Sequence, residues 1–385
     1  MSPAENVQRS TSNVQRSMAD PVRHIYVHIP FCARICPYCA FYKVRADPAQ
    51  TQRFCEALLR ELEMLGPRFQ IQAQTIFFGG GTPTALTTAQ LEFLLSGFQE
   101  RLNLSALAEW TTEANPGSVS ARKAALLKQL GVSRISLGVQ SWDDELLTTL
   151  GREHNSAQAE ASYHVMRDAG FRSVSIDLMF GLPGQSLAQW QATLERTVSL
   201  RPDHISAYCL TYEEDTEFFL RQARGEYRPD VDTDAQFFES AMRILEGAGY
   251  AQYEISNYAR PGHESAHNRG YWAGADYLGI GPSAFSTVGN ERWQNVADYR
   301  AYSDRVLGDN SPVASVEPLT AQTKHAERIV LSLRTASGIP REWLDAWPTE
   351  RQEFVQLGLL QQIGERYVLT PRGKLVADSV AAAFV

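Results

Sequence analysis

The chain has 385 residues, 44% of them hydrophobic and 21% charged, with a formal net charge of −8. That length buries a large core, enough for one barrel plus a small appended domain, and the acidic balance argues against nucleic acid or an anionic membrane surface as the main partner. No apolar run reaches the roughly 18–20 residues that a bilayer-spanning helix needs, which excludes one.

Residues 1–21 read as a disordered leader. Asn6-Val7-Gln8-Arg9-Ser10 recurs as Asn13-Val14-Gln15-Arg16-Ser17, polar and without the apolar region of a signal peptide. Either Met1 or Met18 suits as a start. From residue 22 short apolar runs alternate with longer amphipathic ones. Strands are predicted at 24–29, 75–78, 109–114, 134–139, 173–180 and 204–210, and helices at 48–65, 88–102, 120–130, 156–169, 187–199 and 233–248. In helix 48–65, Phe54, Leu58, Leu62 and Leu65 share a face, with Arg60 and Glu61 set away from it. Alternation of this kind predicts parallel strands with crossover helices, six βα units in all, hence an α/β fold with a partial (β/α)6 TIM-like barrel over 22–250.

The first strand, Tyr26-Val27-His28-Ile29-Pro30-Phe31, runs into Cys32-Ala33-Arg34-Ile35-Cys36-Pro37-Tyr38-Cys39. Three thiols stand on one loop with no fourth beside them. A tetrahedral zinc site and a closed four-iron cluster each want four protein ligands, so this spacing suits a [4Fe–4S] cluster with one iron open to another ligand. The plain alternative is three surplus thiols. Five cysteines is an odd count. Cys55 and Cys209 fall in segments that read as helix and strand and are expected to be buried fillers, in a reduced, cytoplasmic setting.

The later strands end in comparable punctuation. Gly79-Gly80-Gly81-Thr82-Pro83 follows the second strand, Glu113-Ala114-Asn115-Pro116-Gly117 closes the third, Gly138-Val139-Gln140-Ser141 the fourth, and Gly181-Leu182-Pro183-Gly184-Gln185 follows the fifth. Ligands bind at that rim in βα barrels. The glycine run allows close backbone approach to a ligand, or is a plain turn. Glu113 suits a ribose diol, or is an exposed loop acid. Asp177, inside Val174-Ser175-Ile176-Asp177-Leu178-Met179-Phe180, is costly to bury unless a ligand or Arg152 satisfies it, and a buried Asp–Arg brace is the plain alternative.

Past residue 250 the composition turns aromatic, with Tyr253, Tyr258, Tyr271, Trp272, Tyr277, Trp293 and Tyr299, so 251–317 reads as an extension of the barrel. Residues 318–385 predict helices at 320–335, 340–346 and 350–357 and a strand–turn–strand to 369, a winged-helix-like domain closing an α+β C-terminal part. Its Glu342, Asp345, Glu350 and Glu353 would repel phosphate, which points to a structural or docking module rather than a DNA reader.

Taken together, the cysteine loop, the Gly-Gly-Gly-Thr-Pro, Glu-Ala-Asn-Pro and Gly-Leu-Pro-Gly-Gln runs resemble the oxygen-independent coproporphyrinogen III oxidase family of radical S-adenosylmethionine (SAM) proteins. Within it the chain is similar to the haem-chaperone branch, HemW. Phe41 stands where the oxidase continues with a fourth cysteine, and His267-Asn268-Arg269-Gly270-Tyr271-Trp272 matches a motif of that branch. The resemblance implies Cys32, Cys36 and Cys39 as cluster ligands, Tyr38 against the SAM adenine, and Tyr26, Gly80 and Glu113 at SAM. It matches Gly81, Thr82, Gln140, Arg152 and Asp177 to positions that hold a second SAM in the oxidase. It implies haem as a further ligand, with His267 the first contact and Tyr271 and Trp272 flanking a porphyrin; the alternative for His267 is a buried histidine bonding a carbonyl. The implied function is haem binding and transfer to an acceptor protein, with oxidative decarboxylation of coproporphyrinogen III as the alternative. SAM cleavage is expected of either. A homodimer and peripheral contact with membrane proteins are further partners the resemblance allows; nucleic acid is not one.

Overall fold

A computed structural model describes residues 20–228 and 230–385, so the expected leader and the choice of Met1 or Met18 lie, apart from Asp20 and Pro21, outside the described residues. Strands β1 (Val22–Ile29), β2 (Ile71–Gly80), β3 (Glu109–Ala114), β4 (Arg134–Gln140), β5 (Ser173–Phe180) and β6 (His204–Cys209) lie side by side in chain order, each parallel to the next. Between them run α1 (Pro48–Leu65), α2 (Thr88–Arg101), α3 (Ala121–Gln129), α4 (Ser156–Asp168) and α5 (Leu187–Leu200), and α6 (Val231–Gly247) follows β6. This is the α/β architecture expected, with β2 starting earlier than the apolar run that revealed it.

Local chemistry fixes where the helices start. The Asp47 carboxylate accepts from the Ala49 N–H ahead of α1, with Pro48 at the first helical position. Reciprocal capping boxes open α2 (Thr87 with Gln90), α4 (Asn155 with Gln158) and α5 (Ser186 with Gln189), each satisfying donors that a helix leaves unpaired. Along the strands, alternate residues take opposite faces. Ile25, Val27, Ile29, Ile76, Phe78, Ile135, Leu137, Val174 and Ile176 are buried beneath the helices. The intervening residues, among them His24, Tyr26, Glu113, Ser136, Asp177 and Ser206, face the concave side.

The segment after α6 extends this sheet at both edges. Short strands β7 (Ala251–Glu254) and β8 (Asn257–Ala259) add antiparallel beyond β6, while β9 (Tyr277–Ile280) pairs parallel with β1. Outside β9, β10 (Phe285–Val288), β11 (Glu291–Asn295) and β12 (Val313–Pro318) continue antiparallel. The twelve strands end at β12 on one side and β7 on the other, and these edges do not pair, so the barrel is open. Between β8 and β9 lies α7 (Ala266–Trp272), and α8 (Tyr299–Leu307) precedes β12. The remaining chain has the order of a winged helix: α9 (Ala321–Leu333), β13 (Ile339–Pro340), a 3-10 turn (Arg341–Leu344), α10 (Pro348–Gln356) and the hairpin β14 (Leu360–Ile363)–β15 (Arg366–Leu369). It has its own apolar cluster, including Ile329, Leu333, Leu344, Leu360 and Phe384. The helix expected at 340–346 is only a 3-10 turn, Arg341–Leu344, which ends at Asp345 with an N–H to the Glu342 carbonyl.

Two expectations fail. Cys55 is buried, but Cys209 is exposed at the end of β6. Glu61, set aside as an outer residue of α1, is buried to 3% exposure. It lies three residues after Leu58, inside the apolar stripe. Its carboxylate accepts from the Tyr302 hydroxyl on α8 (2.6 Å), the Gly281 N–H after β9 (2.8 Å) and Asn295 Nδ2 on β11 (2.7 Å), tying α1 to the extension. Burial outweighs these donors and raises its pKa from 4.5 to about 7. A carboxyl whose pKa is raised by folding stabilises the fold while protonated, and that contribution is lost as pH climbs through the folded value. Glu61→Gln should therefore lose part of the decline in thermal midpoint that wild type shows between about pH 5 and pH 8. Parallel pH profiles for the two proteins would show that Glu61 does not titrate there.

Candidate cofactor site

The three cysteines stand at the carboxyl end of β1, on a loop held at both ends. Phe31–Cys32 forms a short parallel ladder with Val44–Arg45, and the Cys39 N–H donates to the Cys36 carbonyl (3.2 Å). The Pro37 carbonyl accepts from the Phe218 N–H (3.1 Å), and the Tyr38 ring lies 6.1 Å from that of Phe218. All three thiols are half-buried. Burial raises the pKa values of Cys32 and Cys39. Cations oppose that effect: Arg152 Nη1 lies 3.7 Å from Cys36 Sγ, and the Lys43 amine donates to the Cys39 carbonyl. Among the described residues no three metal-ligating side chains converge on one point, as a single ion would require. An iron–sulfur cluster instead takes each thiolate on its own iron, and three accessible thiols beside two cations fit an anionic cluster.

Next to this loop the backbone of the glycine run is packed tightly. The Gly81 N–H donates to the Ile29 carbonyl (2.9 Å) and the Thr82 N–H to that of Phe31 (2.8 Å). Gly80 sits at φ +107°, and a Cβ there would fall 2.6 Å from the His28 ring. That conformation and that space admit only glycine. Glu113 accepts from the Gly80 N–H (3.2 Å); burial, then the nearby Asp177 carboxylate, push its pKa up to about 8. Glu113 is thus no exposed loop acid. Tyr26 donates its hydroxyl to His28 Nδ1 (3.0 Å), because His28 Nε2 gives its hydrogen to the Tyr42 carbonyl (2.8 Å). Burial keeps that imidazole neutral.

Thr82, Asn115 and Arg152 form one chain around the rim. Asn115 Nδ2 donates to Thr82 Oγ1 (2.8 Å), and Thr82 Oγ1 lies 3.6 Å from Cys32 Sγ. Arg152 Nη2 donates to Asn115 Oδ1 and to the Gly138 carbonyl, both at 2.7 Å. Gln140 takes a left-handed φ of +69°, where the β4–β5 register slips by one residue. Asn115, missed as a site residue, is the link between the cysteine loop and Arg152; its place in Glu-Ala-Asn-Pro was the available signal.

Asp177 does not pair with Arg152. No Arg brace forms, since Arg152 is committed at the rim. Three seryl hydroxyls donate instead: Ser136 to Oδ2 (2.7 Å), and Ser175 (2.9 Å) and Ser206 (2.8 Å) to Oδ1. These serines occupy the same face of β4, β5 and β6. The signal was period-two alternation of hydroxyl residues with apolar ones. Ser175 Oγ also bonds His204 Nδ1 (2.8 Å), whose Nε2 meets the Tyr253 hydroxyl (2.9 Å).

His267 lies at the other end of the barrel. The Glu109 carboxylate on β3 accepts the N–H groups of Ala266 (3.1 Å) and His267 (3.2 Å), which seats the start of α7 at the amino ends of the strands. His267 Nδ1 shares the Thr75 hydroxyl with His24 Nδ1, each at 2.8 Å, and its ring lies 5.1 Å from that of Phe77. It bonds a hydroxyl rather than a carbonyl. Burial lowers its pKa to about 3. Tyr271 is 45% exposed on a different side, and Trp272 lies under the Arg334 guanidinium (5.1 Å). The cysteine loop, glycine run, Glu113, Gln140, Arg152 and Asp177 therefore gather around one concave site, while the His267–Trp272 helix stands apart.

The family profile of the Radical SAM superfamily matches residues 26–197. Heme chaperone HemW of Bacillus subtilis is 35% identical over 94% of this chain and 99% of its own length. Heme chaperone HemW of Mycobacterium tuberculosis is 38% identical over 92% and 93%, and that of Escherichia coli 34% over 95% and 98%. Among solved structures, the coproporphyrinogen III oxidase HemN of Escherichia coli superposes with a TM-score of 0.82 at 24% identity, covering 96% of this chain and 91% of that one, a likeness of fold.

Replacing Asp177 by Asn leaves a neutral amide facing three hydroxyl donors, one of which must turn around. The cost is expected at about 1–3 kcal/mol of unfolding free energy, read from urea denaturation. Unchanged stability would mean that the serine cradle is not a stabilising network.

Proposed function

This chain belongs to the HemW heme chaperone family of radical SAM proteins, and on that premise we propose that it binds haem and passes it to acceptor proteins while holding a [4Fe–4S] cluster and SAM. The observation that favours this over the oxidase is identity of 34–38% along nearly the whole chain. Phe41, 67% exposed beyond the third cysteine, fits the same branch.

Cys32, Cys36 and Cys39 are the residues to hold the cluster, which when reduced supplies one electron to the SAM sulfonium. Arg152 holds positive charge beside Cys36. The Gly79–Gly81 backbone and Glu113 offer main-chain groups and an acceptor at the adjoining rim, suited to the methionine end and ribose diol of SAM; Tyr38, its ring tilted against that of Phe218, suits its adenine. Gly81, Thr82, Gln140, Arg152 and Asp177 match a second SAM position, and three of them are already spoken for by protein partners: Thr82 and Arg152 through Asn115, Asp177 through three serines. That favours a single SAM. Among the described residues no helix is long and apolar enough to cross a membrane, and the place of work we propose is the cytoplasm. Ile35 and Phe41 expose 43% and 67% beside the cluster loop, an apolar surface suited to a second copy or to an acceptor at a membrane.

Two measurements test this reading. Anaerobically reconstituted protein should bind haem saturably, and turnover with coproporphyrinogen III should yield no protoporphyrinogen; vinyl products would establish the oxidase instead. Replacing Cys32, Cys36 and Cys39 together by Ala should abolish the brown chromophore and its iron while leaving the far-ultraviolet dichroism intact. Retained iron would place the cluster elsewhere.

A further inference from the structure

A cavity of about 530 Å3 opens in the angle between α7, strands β9–β11 and helix α9 of the winged-helix unit. Its size falls within the range of small-molecule sites, roughly 300–1,000 Å3. One wall is aromatic. Tyr271 and Phe285 line it and are each 45% exposed, and Tyr277 lies beside them. The facing wall is aliphatic, with Val330 and Leu331 of α9. Two half-exposed rings side by side in a concave site offer apolar surface to a flat ligand.

The rim is cationic. Arg292, Lys324 and Arg328 line it against a single acid, Glu327. Arg292 Nη2 donates to both carboxylate oxygens of Glu327, at 2.8 and 2.7 Å, and Lys324 reaches Asp276 at 3.2 Å. Arg328 makes no ion pair among the described residues. Its stem lies over Gly274, where a Cβ would fall 2.9 Å from Cγ and where φ is +68°, so a glycine keeps the arginine in place. A planar guanidinium without a partner, at the edge of an aromatic slot, is suited to a carboxylate.

We propose that this cleft is the tetrapyrrole site of the protein, with the macrocycle between the Tyr271–Phe285 wall and α9 and a propionate on Arg328. The proposal rests on the haem reading above and assigns that reading a place. It puts the ligand outside the concave cofactor site, against two units of the chain at once. The wall holds no histidine, cysteine or methionine, and the recognition we assign to it is of the ring and the carboxylates. Metal-free protoporphyrin IX is therefore a ligand of the same cleft.

The experiment is a fluorescence and absorbance titration of the full chain with protoporphyrin IX and with haem. Arg328→Glu and Tyr271→Ala should each weaken both ligands by at least about tenfold, whereas Arg328→Lys should retain most of the affinity and His267→Ala should bind as wild type does. Unchanged dichroism of each variant separates a lost contact from a lost fold. If wild type binds haem but the Arg328 and Tyr271 variants bind equally well, the cleft is not the site. Haem binding lost in His267→Ala alone, or haem bound without protoporphyrin competing, also overturns it. If wild type binds neither ligand, the haem reading itself falls.

Discussion

Register between the parallel strands is the constraint on which the other features depend. Helices cover one face of the open sheet, and the concave face collects His24, Tyr26, His28, Glu113, Ser136, Asp177, Ser206 and Tyr208. A slip of one residue in β1 would drive Ile25, Val27 and Ile29 into that space and leave polar groups under α1. The pairing Asp177 with Ser206, and Ser136 with Ser175, brings the three hydroxyls around one carboxylate. The same register sets His24 opposite Thr75 and so provides the hydroxyl on which His267 rests. Burial of apolar side chains under the helices thus decides, at a distance, which polar groups meet inside.

The concave site shows two kinds of polar group. Some are closed circuits: Asp177 with its serines, His28 between Tyr26 and Tyr42, Asn115 between Thr82 and Arg152. These hold geometry and leave little for a ligand. Others are only partly engaged, namely the three thiols and Glu113, which among the described residues accepts from the Gly80 N–H alone. Burial, then the Asp177 carboxylate, raise its pKa to about 8, and a hydroxyl or cation brought to it opposes that shift. Open and closed groups sort the rim into what binds and what braces.

Much of this was legible. The alternation of strand and helix, the capping residues, and the glycine and cysteine punctuation are local signals, and they located β1–β6 and the rim. The short strands β7 to β12 were not seen, because three to six residues with mixed polarity give no clear period, and their stability comes from pairing onto the edges of an existing sheet. Glu61 is illegible for a related reason: one carboxyl in an apolar stripe looks like an error in the pattern until donors from Gly281, Asn295 and Tyr302, more than 200 residues away, are in view. Asp177 was correctly singled out as needing satisfaction, but its partners sit on two neighbouring strands as well as its own, and sequence proximity could not favour serines over Arg152. The His267–Trp272 motif was found as a string; that its residues diverge onto different sides of α7 is a property of helical spacing together with the Glu109 anchor.

Helix α7 spans seven residues, about 10 Å at the usual rise per residue. Its first turn is clamped by Glu109 and its histidine stands under the lumen, while its last turn presents Tyr271 to the outer cleft. So short a rigid element cannot tilt at one end without displacing the other. Glu109, at the floor of the barrel, therefore also sets where Tyr271 stands in the wall of the outer cleft.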